Sequence, residues 1–167
     1  MKITNIHQRQ YQHPQATLAA ILDTLASPND RLWPWETWPP MRLNHGLAVG
    51  SHGGHGPIGY SVVAYQPGQS LVFSFTKPET FQGTHRFEIL VLDEGRTLLR
   101  HTIAMTVNWQ GLLLWGVAIR WLHDALLEDA LDKVHNQLEP QPVASRHGPW
   151  VRFLRRVLRR RKKKGKP

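Results

Sequence analysis

The hydrophobic rhythm of the chain changes several times, and each change marks an element. Residues 3–13 set Ile3, Ile6 and Tyr11 among polar side chains and predict a first strand at a sheet edge. Pro14 breaks that strand and suits the first turn of a helix. Leu18, Ile21, Leu22 and Leu25 then recur at helical spacing, predicting a helix over residues 16–26. Ser27-Pro28-Asn29-Asp30 stops it, and Ser27 or Asp30 can cap a second short helix. Residues 32–40 hold Trp33, Trp35 and Trp38 among three prolines, which rules out a regular helix and predicts an extended aromatic loop.

Strand patterns follow. Residues 41–49 read as a strand and residues 50–57 as a glycine-rich turn. Residues 58–66, 70–76, 84–92 and 97–107 predict a meander, with Leu71, Phe73 and Phe75 on one face and a hairpin turn at Asp93-Glu94-Gly95-Arg96. Regular meander spacing favours an antiparallel sheet. Residues 109–138 form the longest helical stretch. Its first half is apolar on nearly every side, which predicts burial all round, and its second half is amphipathic. Pro140 and Pro142 end it. This order predicts an α+β fold, a curved antiparallel sheet gripping a long C-terminal helix. The expected divisions are a ligand-binding domain over residues 1–139, a linker over 140–149 and a basic amphipathic tail over 150–167.

Local sequence agrees with that order. The segments Leu25-Ala26-Ser27-Pro28-Asn29-Asp30-Arg31-Leu32-Trp33-Pro34, Gly53-Gly54-His55-Gly56-Pro57-Ile58-Gly59-Tyr60, Gly83-Thr84-His85-Arg86-Phe87-Glu88 and Leu122-His123-Asp124-Ala125-Leu126-Leu127-Glu128-Asp129 resemble uncharacterised bacterial members of the START-like helix-grip superfamily (SRPBCC), which includes polyketide cyclases and lipid carriers. The resemblance covers residues 3–138. It implies a mostly apolar cavity for a hydrophobic small molecule between sheet and long helix. Since one fold hosts many functions, it implies no particular chemistry. The expected lining is Trp33, Trp35, Tyr60, Phe73, Phe75, Phe87, Leu113, Val117 and Trp121.

Composition narrows the function classes. With 41% hydrophobic residues the chain can build a core, and with no cysteine it has no disulfide, thiolate–metal site or thiol nucleophile. No secretory leader is expected, and the longest apolar run, residues 112–119, is too short for a bilayer span of roughly 20 residues. A cytoplasmic protein is expected, with attachment to the inner membrane face as an extension. The net charge of +9 is misleading, because ten of the 21 basic residues lie in residues 150–167, where there is no acid. The remaining 11 nearly balance the 12 acidic residues, so the body is close to neutral.

In the tail, Trp150, Phe153, Leu154, Val157 and Leu158 make an apolar stripe, and Arg152, Arg155, Arg156, Arg159 and Arg160 face away from it. That is the composition of an interfacial membrane helix. Docking on the protein's own body and binding to nucleic-acid phosphates are the other occupants weighed.

The candidate chemistry is sparse. Counting outward from a two-residue turn sets Glu88 opposite His101 and His85 opposite Ala104, a candidate acid–base set. His52 and His55 supply two imidazoles without a carboxylate, so no metal site and no cofactor are expected. Arg86 and Arg100 can bind an anionic head group if they point inward and are solvated if they point outward. The leading expectation is a carrier of a lipophilic molecule. A cyclase- or dehydratase-type enzyme using His85, Glu88 and His101 is the alternative.

Overall fold

In a computed structural model, which describes the backbone of residues 1–164 and the side chains of residues 1–158, seven antiparallel strands form one sheet. The strands are β1 (Lys2–Tyr11), β2 (Arg42–Leu43), β3 (His52–His55), β4 (Ile58–Gln66), β5 (Ser70–Lys77), β6 (Phe81–Asp93) and β7 (Arg96–Val107), in the spatial order β1-β7-β6-β5-β4-β3-β2. The order is a meander from β2 to β7, with β1 closing against its last strand in register from Lys2↔Thr106 to Tyr11↔Thr97. Helix α1 (Gln15–Leu22) buries Leu18, Ile21 and Leu22. The long helical segment runs as α2 (Trp109–Leu114), a π-helical turn (Trp115–Ile119) and α3 (Arg120–Leu138), and α4 (Pro149–Lys164) follows.

Two sequence expectations change. Only Arg42–Leu43 of residues 41–49 is strand, and the glycine-rich segment is β3 itself rather than a turn. A Cβ on Gly53 would lie 1.8 Å from the Arg42 carbonyl oxygen, so glycine is what lets β3 approach β2. The first half of the long helix is not buried all round. A helix gripped by one sheet buries one stripe, here Gly111 and Trp115, continuing as Leu126, Leu127, Ala130, Leu131 and Val134. Leu113, Val117 and Trp121, expected as cavity lining, lie on the other side and are 45–59% exposed.

The core has two parts. The larger joins Tyr11, the α1 leucines, Trp33, Tyr60, Leu71, Phe73 and Phe87 to the α3 stripe. The smaller joins Phe81, Ile103, Met105, Val107 and Trp115. The tryptophan loop is fixed by Asp30, whose carboxylate accepts from the backbone N–H groups of Ala26, Leu32 and Trp33 at 2.8–2.9 Å. Lys133 of α3 donates to the carbonyls of Asp30 and Trp33. Burial raises the Asp30 pKa, and these hydrogen bonds oppose it. Asp30→Ala leaves three N–H groups unpaired and is expected to cost about 3 kcal/mol in urea denaturation, with Asp30→Asn losing about a third of that.

The tail is docked through its first turns. Val151 is buried in the larger core and the Trp150 indole donates to the Val117 carbonyl at 2.9 Å. Arg155 donates to the Thr37 carbonyl and stacks its guanidinium 4.2 Å from the Trp38 ring. The preceding segment is pinned to α3 by the Ser145 N–H on Asp132 and by the Asn136–Val143 pair. The side chains of Arg159 and Arg160, part of the expected basic face, lie outside the described residues.

Candidate functional site: a buried histidine row

The interior face of the sheet carries histidine where a core would carry leucine. Alternation along β6 turns His85, Phe87 and Ile89 inward, and along β7 it turns Leu99, His101 and Ile103 inward. The β6–β7 hairpin does pair Asp93 with Arg96, but a bulge between Val91 and Asp93 shifts every later pair by one residue. His101 therefore faces Phe87, His85 faces Ile103, and Glu88 faces Arg100. The expected Glu88–His101 pair does not form. Glu88 sits on the opposite face, where Arg86 and Arg100 bracket its carboxylate at 3.2 and 3.5 Å. Those two arginines are thus outer-face residues.

What the shift creates is a histidine pair. His85 Nδ1 lies 3.3 Å from His101 Nε2 within the core. The His85 ring stacks on Phe73 at 4.7 Å and meets Tyr60 edge-on, and His101 meets Phe87 edge-on. The row continues to both sides. His7 of β1 is directly opposite His101 in register, and His123 of α3 closes over His101 with ring centroids 5.0 Å apart. At the other end His55 Nδ1 contacts the Tyr60 hydroxyl at 3.1 Å and its ring packs on Trp33. Imidazoles thus bridge the two apolar clusters.

Most of these imidazoles are neutral. Burial lowers the pKa of His55 to about 3 and holds His85 and His101 well below the ordinary histidine value, with neighbouring histidines adding to the effect. His123 is lowered too, chiefly by burial. Their hydrogen-bonding capacity is not used up: among the described residues, His85 Nε2, His101 Nδ1 and both nitrogens of His123 are buried without a hydrogen-bond partner. Buried unpaired polar atoms are costly, so such a set marks a place where something else supplies partners.

At the β1 end the row becomes charged. Inward positions Asn5, His7 and Arg9 meet Asp124, Glu128 and Asp132 of α3. Two residues of strand advance roughly 6.7 Å and four residues of helix about 6 Å, so strand positions two apart match helix positions four apart. His7 places Nε2 2.9 Å from Asp124 and Nδ1 2.8 Å from Glu128. Burial alone would lower its pKa, but the two carboxylates outweigh burial and raise it. Asp124 is held well below the carboxylate range: burial pushes it up, and His123, His7 and Asn5 around the carboxylate push it down further. Ligand atoms of His7, His123 and Asp124 all lie within 4.8 Å of one another.

Of the expected lining residues, Trp33, Tyr60, Phe73 and Phe87 are buried in the grip beside this row, and Phe75 packs against His85. Trp35 is outside it, half exposed on a surface cleft of about 380 Å³ shared with Ala26, Asp30, Pro40 and Met41. His7 and His123 were missed by sequence reasoning, because one lies among the polar residues of the first strand and the other in the amphipathic half of the long helix, and neither sits in a motif of its own. His52 is exposed and separate from His55, so the His-x-x-His spacing brings no pair together.

No family model matches the sequence, and no curated protein matches it. Solved structures do. A protein from Thermobifida fusca is 12% identical, with 86% of this chain and 99% of that one covered and a TM-score of 0.62. CalU16 from Micromonospora echinospora is 18% identical over 93% of this chain and 83% of that one, with a TM-score of 0.56. Norcoclaurine synthase from Thalictrum flavum, in complex with dopamine and hydroxybenzaldehyde, is 9% identical over 84% of this chain and 90% of that one, with a TM-score of 0.62. At these identities the likeness speaks for architecture alone, and it agrees with the sheet order and the gripped helix: the chain has the helix-grip fold of the START-like (SRPBCC) proteins.

Proposed function

We propose that this protein binds a lipophilic small molecule that carries a polar group, with aromatic side chains around the apolar part and the histidine row addressing the polar end. The observation that carries this reading is the set of unpartnered buried nitrogens on His85, His101 and His123 inside a shell of Tyr60, Phe73, Phe87 and Trp115. Neutral imidazoles both donate and accept, so they suit a hydroxyl, phenol or carbonyl. The fold is that of a protein holding dopamine and hydroxybenzaldehyde, which supports a ligand of that character. The acid–base alternative is weakened, because Glu88 points away and, within the row, the imidazole hydrogen-bonded to carboxylates is His7 rather than His85 or His101.

The test is organic extraction of gently purified full-length protein, with mass spectrometry of the extract, in parallel with His85→Phe and His101→Phe. A near-stoichiometric amphiphile from the wild type, retained at least tenfold less by folded variants, is expected. An empty extract together with no saturable uptake of phenolic or isoprenoid probes sinks the reading.

A second observation supports attachment to a membrane surface. Trp109, Leu113, Val117 and Trp121 form a ridge 45–68% exposed, and α4 lies against it through the Trp150–Val117 hydrogen bond, adding exposed Trp150 and Phe153. Exposed Arg120 and Arg152 flank it. A continuous apolar ridge of this kind with basic margins suits the interface of an anionic bilayer. Among the described residues no helix is long and apolar enough to cross a membrane.

A further inference from the structure

We propose that His7, His123 and Asp124 form a binding site for one divalent transition-metal ion. This inference shares His123 with the lipophilic-ligand reading but otherwise rests on the charged end of the row between β1 and α3, and metal titration can fail without ligand extraction failing. Two imidazoles and one carboxylate with mutually close ligand atoms are a donor set for zinc or ferrous iron.

Three further features fit. Among the described residues neither His123 nitrogen has a hydrogen-bond partner although both are buried, and Nδ1 stands 3.8 Å from the Asp124 carboxylate, beyond hydrogen-bond reach but close enough for the charge to act on the ring. A neutral imidazole in that position has an electron pair to give a metal ion. His7 directs Nε2 toward Asp124 while Glu128 holds Nδ1; a metal ion would displace the Nε2 proton that Asp124 now accepts and leave Nδ1–H on Glu128, the carboxylate–histidine arrangement that orients a metal-ligating ring. Asn5 donates to Asp124 and so fixes the third ligand, and its own Oδ1 is buried and unpartnered beside it. The position is also reachable: β1 is an edge strand, and Asp124 and Glu128 are 30% and 42% exposed. Three protein ligands leave at least one coordination position for water or for a polar group of a bound molecule.

The ligands are His7 on one side and His123 and Asp124 on the other, more than a hundred positions apart, so no spacing motif announces them. His52 and His147 serve as controls. His52 is solvent exposed, and His147 is paired with Asp129 and Arg155 away from the cluster.

The experiment is titration of tag-free, chelator-treated full-length protein with Zn2+ by calorimetry, and with Co2+ by visible absorption. One equivalent bound at micromolar or tighter affinity is expected, with cobalt d–d bands showing mixed nitrogen and oxygen ligation. His123→Gln and Asp124→Asn should each weaken binding at least a hundredfold. Glu128→Gln should weaken it about 10–100-fold, since it only orients His7. His52→Ala and His147→Gln should leave it unchanged. Circular dichroism identifies variants that stay folded, and where Asp124→Asn does not, His123→Gln decides. Binding weaker than millimolar overturns the proposal, as does tight binding that persists in folded His123→Gln or disappears in His52→Ala.

Discussion

Chelator-treated protein is expected to lose on the order of 4 kcal/mol of stability between pH 6.5 and pH 5. His85 and His101 are neutral in the fold and would titrate near 6.5 in the unfolded chain. Below pH 6.5 the unfolded state therefore binds protons that the folded state does not. Each such imidazole costs about 1.4 kcal/mol per pH unit, or about 2 kcal/mol by pH 5. His55 adds to this, with its pKa lowered to about 3, though it is only partly covered and contributes less. The stability is fully present above pH 6.5 and is lost as pH falls toward the folded values. The groups facing His85 are Tyr60, His55, His101 and His123, none of them a carboxylate able to keep a charged imidazole stable. His7 has the opposite sign. Its raised pKa adds stability that is complete below pH 6.5 and is lost only at higher pH, so it does not cancel the effect. Against a total typical of small domains, 5–15 kcal/mol, such a loss moves the urea midpoint far down or unfolds the protein outright. Urea titrations at half-unit steps from pH 7.5 to 4.5 measure it. A flat profile would mean that the row is hydrated or already partnered. His85→Phe and His101→Phe should flatten the wild-type slope by about half each.

The same row shows how far the sequence could be read. Alternation and turn chemistry were enough for the meander from β4 to β7, for α1 and for the long helix, since those signals are local. Register is not local. One bulged residue near Leu92 converts an expected Glu88–His101 pair into a buried His85–His101 pair, because a shift of one residue exchanges the faces of a strand. The exposed ridge was missed for a related reason. An apolar run states that a helix avoids water, but not whether protein or something else provides the cover. The β1–α3 ladder did leave a trace: polar or charged residues at every second position of β1, Asn5, His7 and Arg9, and acids at every fourth position of α3, Asp124, Glu128 and Asp132. Matching those two periods by their rise per residue would have put His7 beside Asp124.

Replacing Leu113, Val117 and Trp121 together by glutamate is expected to release the protein from anionic vesicles, although none of the three lies in the basic tail. These side chains are 45–59% exposed, so the fold loses little when they change. In a bilayer interface each would bury part of its apolar surface. Losing about 1 kcal/mol or more from each removes about 3 kcal/mol, a weakening on the order of a hundredfold, before the repulsion of three new acids is counted. Arg152→Glu with Arg156→Glu removes a different contribution, about 1 kcal/mol for each basic charge near the surface. The two losses separate by ionic strength, because screening weakens the arginine contribution and leaves apolar burial nearly untouched. Sedimentation with phosphatidylcholine vesicles containing phosphatidylglycerol, at 0.05 and 0.3 M salt, reads both. Wild-type protein that stays in the supernatant at both salts sinks the membrane reading and leaves α4 as a helix docked on its own body. Binding to duplex DNA that persists in the ridge variant would assign the tail to phosphates instead. Vesicle binding lost in the ridge variant and salt-sensitive in the arginine variant is the result expected if α2, the π-helical turn and α4 present one surface, with apolar side chains entering the interface and arginines meeting the head groups.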